Sequence, residues 1–398
     1  MNSRERVITA LNIEEPDIVP SYEMGISPPS VIKELLGREP IYGNLRYLYE
    51  LWSQGKIMDK ESIKQLNKHF VEDCYEAYDK LGLDMIRFFA VGLDPTEFWR
   101  ADIRPPLSIK KVSDREWIVN GKRVLYNSFS FWNWEPNSSI ILKGPEYVRE
   151  YVRNEGKKMI EEIKSTPLDN LRYLTKLNKG RKFILTDVGG TNGLIVSDRF
   201  GMTEGLKWFH IHPDTIKDLL KLYTELTIEV GKVAIDCGTD GVQICEDYGY
   251  KNGPWLSPLQ FKEFVLPNLV KMSKIFRRKG AYFILHSDGN VKPLLNMFVE
   301  AGFHAYQSID KIAGMDLAYV KKEIGDKMCL IGNVDPDILK RKMSDVEAEV
   351  KRCIKSAAVG GGYIISCGGA MTDSRLSNIK ALIKYSRKYG KYPLNRIS

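Results

Sequence analysis

The sequence predicts a (β/α)8 barrel of the TIM type, and three observations carry that reading. From Phe183 onward, short β-branched or aromatic runs alternate with amphipathic stretches, the rhythm parallel strands impose because each needs a crossover to its neighbour. Polar and metal-binding residues follow directly on the ends of those runs, where a barrel gathers its βα loops. The length, 398 residues, suits a single barrel domain over 1–398, since barrels of about 250 residues accept insertions beyond 400.

In chain order, IVPSY at 18–22 and DMIRFFAV at 84–91 are expected as the first strands, and the interval between them has helical patterning, an N-terminal helical extension. Between about Arg100 and Lys143 the pattern becomes hairpin-like. Asn120-Gly121, between EWIV and KRVLY, supplies the positive φ angles of a tight type I′ turn, so this stretch is read as a β-hairpin insertion over the barrel mouth. Its aromatic residues Phe129, Phe131, Trp132 and Trp134 are expected in hairpin packing, with a ligand-facing lid as the alternative.

The remaining strands are FILTDV at 183–188, VQIC at 242–245, YFIL at 282–285, AYQSI at 305–309, MCLIG at 328–332 and YIIS at 363–366. Pro213 suits a first helical position, and Ile216, Leu219, Leu220, Tyr223, Leu226, Val230 and Val233 then repeat at three- and four-residue steps along one buried face. Ser257 with Gln260, and Ser344 with Glu347, fit the capping box that satisfies the first free N–H groups of a helix.

Composition narrows the function classes. With 43% hydrophobic and 28% charged residues the chain can build a core and is not disordered. The six cysteines are scattered without a CxxC, which argues against a disulfide framework or zinc ribbon and for reduced thiols. The N-terminus lacks a signal-peptide pattern and no apolar run approaches the roughly 20 residues of a membrane span, so a cytoplasmic protein is expected. The net charge of +8 comes from dispersed lysines, which reads as a solvated basic surface rather than a nucleic-acid site.

The strand-end rule sorts the polar residues. His286 and Asp288 stand two apart, so in extended geometry both project from one side of the chain into the mouth. Cys367, between YIIS and Gly368-Gly369, would be brought to them by the barrel, and thiolate, imidazole and carboxylate together make an open zinc site. The plainer alternatives are a satisfied histidine, a turn aspartate before Gly289-Asn290 and an inert buried cysteine. Glu246 is a further ligand, a proton carrier or a hydrogen-bond anchor; Glu23, Asp187, Asp247 and Asp310 are the candidate substrate contacts. His69, His210, His212 and His304 read as structural.

An ordered series of segments resembles the uroporphyrinogen decarboxylase-like superfamily: RERVITALNIEEPDIVPSYE from Arg4, EDYGYKNGPWLSPLQFKEFVLP from Glu246, LHSDGNVKPLLNMFVEAGFHAYQSID from Leu285, GMDLAYVKKEIGDKMCLIGNVDP from Gly314, GGGYIISCGG from Gly360 and NIKALIKYSRKYGKYP from Asn378. The resemblance implies the barrel and two competing activities. Porphyrinogen decarboxylases carry an arginine-rich segment, RQAGRYxPEY, that meets substrate carboxylates; here the region reads SYEMGISPPS, which disfavours that substrate. The superfamily's zinc methyltransferases have an H-x-C motif followed distantly by C, and His286 and Cys367 fall on its first and last positions while Asp288 departs from it.

A carboxylate hardens the metal site and suits an oxygen substrate better than a thiol. The resemblance with this departure implies a zinc-dependent methyltransferase moving methyl from an aromatic methyl ether to the Co(I) corrinoid of a partner protein, with Glu246 as acid and His286, Asp288 and Cys367 on zinc. The alternatives are a methylcorrinoid:thiol (coenzyme M-type) methyltransferase, a decarboxylase of another acid, and a non-catalytic ligand- or corrinoid-binding barrel. A homodimer remains an open option.

Overall fold

The computed structural model describes residues 1–26, 28–89, 102–126, the main chain of 131–133, 140–190, 202–369, 371 and 374–394. The N-terminal part is helical: α1 (Ser3–Leu11), α2 (Pro29–Leu36), α3 (Leu45–Ser53) and α4 (Lys60–Leu81) precede the first strand. Among the described residues, seven strands form one parallel, curled sheet: β1 (Met85–Phe89), β6 (Phe183–Asp187), β7 (Gly241–Cys245), β10 (Tyr282–Ser287), β11 (Ala305–Ser308), β12 (Cys329–Gly332) and β13 (Tyr363–Ile364), neighbours in that order. All pair in parallel, with helices packed outside them, and β8 (Gly249–Tyr250) with β9 (Gly253–Pro254) forms a separate antiparallel pair.

The eighth position belongs to the IVPSY segment, which makes only isolated bridges. Ser21 bridges Ile365 in parallel, and the Tyr22 N–H donates to the Ile365 carbonyl at 3.0 Å. On the other side the Asp84 N–H donates to the Ser21 carbonyl at 2.9 Å, so this segment closes the gap between β13 and β1. Pro20 has no N–H to give to a ladder, which explains why the pairing stays short.

Strand parity divides the core in two. Ile86, Phe88, Ile184, Val242, Ile244, Phe283, Leu285 and Leu330 face the helices, whereas Met85, Phe183, Leu185, Ile284, Ala305, Cys329, Ile331 and Ile364 fill the barrel with Tyr22. Val7, Ala10 and Leu11 of α1 join that inner cluster. Asn2 and Glu5 form a capping box on α1, and Arg4 and Arg6 reach Asp240 and Asp84 just before β7 and β1. The helix therefore plugs the N-terminal end of the barrel and leaves the other end as the mouth.

The inserted stretch is a four-stranded antiparallel sheet, β2 (Ile109–Ser113), β3 (Glu116–Val119), β4 (Lys122–Tyr126) and β5 (Phe131–Asn133), in sequential order. Asn120 and Gly121, with φ of 51° and 78°, make the expected turn. The sheet follows β1 in the chain and packs against α3. Trp117 is buried against Tyr49 of α3, ring centroids 5.9 Å apart, and Lys111 pairs with Glu50 at 2.9 Å. Phe129 and Trp134 lie outside the described residues, as do the side chains of Phe131 and Trp132.

Helix signals fare unevenly. Pro213 opens the helix Pro213–Asp236, whose predicted stripe is buried except for the half-buried Val233, and Ser257 and Gln260 form their capping box. Ser344 is a correction: the helix Met343–Ala357 starts one residue earlier, with Lys342 at the cap and no side-chain cap bond. Glu347 bonds instead to the Tyr389 hydroxyl, a tertiary partner that a local motif cannot reveal. No helix among the described residues is long and apolar enough to cross a membrane.

Candidate metal centre

His286 is the last inward-facing residue of β10, and its ring is buried at the level where apolar barrel filling gives way to polar groups. Strand register sets Gln307 of β11 beside it, and Nδ1 hydrogen-bonds to Gln307 Oε1. An amide oxygen can only accept, so the Nδ1 proton points at Gln307 and the Nε2 lone pair is left for the mouth. Nε2 faces Asp247 Oδ1 at 3.6 Å and Asp288 Oδ2 at 3.7 Å.

The two carboxylates arrive from neighbouring strand ends. Asp247 lies two residues past β7, and its Oδ1 accepts the Asp288 N–H at 3.0 Å, joining the loops. The Ser308 hydroxyl donates to Asp288 Oδ1. Burial pushes the Asp288 carboxyl above the usual carboxylate range; His286 and the Ser308 bond oppose the rise, and the charge of Asp247 adds to it. Asp247, His286 and Asp288 offer donor atoms all within 4.8 Å of one another, alone among the described residues. Two carboxylates crowded around an imidazole lone pair are a poor arrangement without a cation and a good one with it, so the donor set fits a metal ion.

Cys367 lies at the end of the last strand run, next to Glu23. It is buried, its thiol hydrogen-bonded to the Glu23 carboxyl and its N–H donating to both carboxyl oxygens at 3.2 and 3.3 Å. Burial pushes Glu23 up to about 8, partly opposed by these bonds, and raises the Cys367 thiol well above its ordinary value. Gln307 Nε2 donates to the Cys367 carbonyl at 3.4 Å, so one amide holds both His286 and the Cys367 main chain. Asp247, expected among the substrate contacts, is the third donor of the group with His286 and Asp288.

Glu246 is buried next to this group, its N–H donating to the His286 carbonyl at 2.9 Å. Its carboxyl lies over Gly190, where a Cβ would come within 2.0 Å of Oε1, so residue 190 must be glycine for Glu246 to sit there. Asp310 accepts from the N–H groups of Gly289, Ile312 and Ala313 at 3.2, 2.9 and 3.3 Å and braces the loop carrying Asp288.

Asp187, at the end of β6, is bound by a residue that sequence reasoning missed. Arg87 Nη2 pairs with Asp187 Oδ2 at 2.5 Å, touches Cys245 Sγ at 3.2 Å, and Nη1 donates to the Met24 carbonyl at 2.9 Å. The nearby negative groups raise the guanidinium above its ordinary value although burial alone would lower it. The signal was an arginine in the middle of the apolar run DMIRFFAV at the parity of Met85, which faces the interior. Gln243 and Gln307 could have been found the same way, as amides inside strand patterns.

Comparisons with known proteins bear on the sequence family and the fold. Residues 194–389 match the family model described as uroporphyrinogen decarboxylase (URO-D). The uroporphyrinogen decarboxylase of Saccharophagus degradans is 25% identical over 169 residues, 40% of this chain and 44% of that protein. That of Geobacter sulfurreducens is 26% identical over 160 residues, 39% and 44% of the two chains. The matched stretch thus spans less than half the length of these relatives. A solved structure titled as a methyltransferase from Methanosarcina mazei aligns with a TM-score of 0.65 at 17% identity, covering 98% of this chain and 99% of that one, which extends the fold likeness over the whole barrel.

Proposed function

We propose that this chain, which resembles the uroporphyrinogen decarboxylase-like superfamily in sequence and fold, is a zinc-dependent methyltransferase that moves a methyl group from an aromatic methyl ether to the Co(I) corrinoid of a partner protein. The observation that supports it most is the His286 Nε2 lone pair facing Asp247 and Asp288 at the barrel mouth, with Nδ1 fixed by Gln307. Asp247, His286 and Asp288 would hold the ion, which would act as a Lewis acid toward the ether oxygen. An imidazole with two carboxylates is a hard donor set, matched to oxygen rather than to a thiol.

In this reading the partner's corrinoid would supply the Co(I) electron pair to the methyl carbon, and the electrons of the broken carbon–oxygen bond would stay on oxygen. The leaving group departs as a phenolate, and Glu246 supplies its proton. Gln307 keeps His286 in the tautomer that presents Nε2, and Ser308 with the Asp288 N–H orients the two carboxylates. Cys367 and Glu23 would line the mouth beside the ion.

The test is metal content and methyl transfer together. The purified protein should hold one zinc; His286→Ala and Asp288→Asn should each lose it, and Cys367→Ala should keep it. With a corrinoid protein reduced to Co(I) and an aromatic methyl ether, methyl-Co(III) should accumulate only with zinc present. Full transfer by metal-free protein, or zinc retained by both the His286 and Asp288 variants, would sink the reading. Conversion of methylcobalamin and a thiol into a thioether would favour thiol transfer instead.

A further inference from the structure

Below the mouth, three buried polar atoms lack a hydrogen-bond partner among the described residues: Arg87 Nε, Gln243 Oε1 and the Tyr22 hydroxyl. They belong to one neighbourhood. Arg87 Nη2 and Gln243 Nε2 both contact Cys245 Sγ, at 3.2 and 3.3 Å, and Arg87 Nη1 donates to the Met24 carbonyl at 2.9 Å, two residues from Tyr22. Leaving such groups unpaired costs free energy in each case, so three together indicate a missing occupant rather than a packing accident.

The unpaired set is specific in chemistry. Arg87 Nε can only donate, the Gln243 oxygen can only accept, and Tyr22 can do either. A hydroxyl, which also donates and accepts, satisfies it; an ether or a methyl group does not. Charge points the same way. The Arg87 cation is already compensated by Asp187 at 2.5 Å, so a carboxylate brought here would be an uncompensated buried anion.

Strand register relates this cluster to the metal group. Cys245 of β7 is the direct partner of His286 on β10, and adjacent strands lie roughly 4.8 Å apart. One small molecule can therefore touch both. We infer that Arg87, Gln243 and Tyr22 form a subsite for an uncharged hydroxyl of the methyl donor, so that the substrate is a hydroxylated aromatic ether rather than an aromatic acid. This rests on the proposed function for the word donor; the hydroxyl preference itself does not.

Binding to the purified zinc protein, measured by calorimetry without corrinoid, tests it with five probes: 2-methoxyphenol, methoxybenzene, 2-methoxybenzoate, phenol and benzene. The hydroxylated member of each pair should bind at least about tenfold more tightly, and the benzoate more weakly than methoxybenzene. Gln243→Leu should erase the hydroxyl advantage while leaving methoxybenzene affinity unchanged, a result that also shows the variant folds. Equal binding of hydroxylated and unsubstituted probes, no binding by either phenol, or a preference intact in Gln243→Leu would overturn the inference, internal water then being the occupant. The two readings fail separately: a hydroxyl preference without any methyl transfer defeats the function alone, and equal demethylation of methoxybenzene and 2-methoxyphenol defeats the subsite alone.

Discussion

Gln307 shows how one side chain beside the candidate metal group governs its geometry. Its oxygen takes the Nδ1 proton of His286 and its nitrogen holds the Cys367 carbonyl, so both the tautomer and the wall of the mouth depend on it. Removing such an outer partner typically lowers metal affinity by about 10- to 100-fold. Gln307→Leu is therefore expected to weaken zinc binding by that factor, read by competition with a chelator, with the thermal unfolding curve little changed. Unchanged affinity would show that the ring is oriented by packing alone. Gln307 sits mid-strand in AYQSI, where the sequence offers no sign of its partner, because that partner comes from the neighbouring strand.

At the scale of elements, α1 is a plug rather than an appendage. Leu11 is 3% exposed and packs with Val7 and Ala10 among the barrel's inner residues, at the end opposite the metal group. Leu11→Ala should cost about 2–5 kcal/mol of stability, measured as a lower denaturation midpoint at constant slope, while zinc content stays stoichiometric. A loss of zinc without a loss of stability would contradict this division of the barrel into a structural floor and a chemical mouth. The helix Pro258–Gln260, the π turn Phe261–Val265 and the helix Leu266–Arg278 follow one another directly; the wider turn accommodates Pro267, which lacks the N–H a regular helix would use.

Across the whole molecule, two titrating groups outside the candidate metal group contribute to the acid sensitivity of the fold. Burial, with the charge of Arg277, holds His304 down to about 4 from 6.5, and its Nδ1 accepts the Phe283 N–H at 2.9 Å. A neutral histidine buried in this way adds stability that is complete above pH 6.5 and is lost as pH falls toward 4. Glu349 is held down to about 2 from 4.5 because Arg352 and Lys311, at 2.8 and 3.0 Å, outweigh its burial. Its contribution is complete above pH 4.5 and disappears on the way to 2. The melting temperature should thus be flat near neutrality and fall in two stages on acidification, the first worth on the order of 2 kcal/mol. His304→Gln, which keeps an acceptor and cannot titrate, should remove the first stage; an unaltered profile would assign it elsewhere.

What the sequence determined by itself is whatever short-range pattern encodes: the alternation of strand and helix, the Asn120-Gly121 turn, the Pro213 helix start, and His286 and Asp288 at one strand end. Those signals are local because backbone geometry and burial parity repeat over two to four residues. The tertiary structure alone decided who meets whom. Ser344 lost its cap because the helix Met343–Ala357 begins one residue before it and Tyr389 holds Glu347; Pro20 left the eighth strand as bridges; Arg87 found Asp187 a hundred residues away. Above all, strand register brought Asp247 to His286 and gave Cys367 to Glu23, since a closed barrel fixes lateral neighbours that no spacing along the chain records.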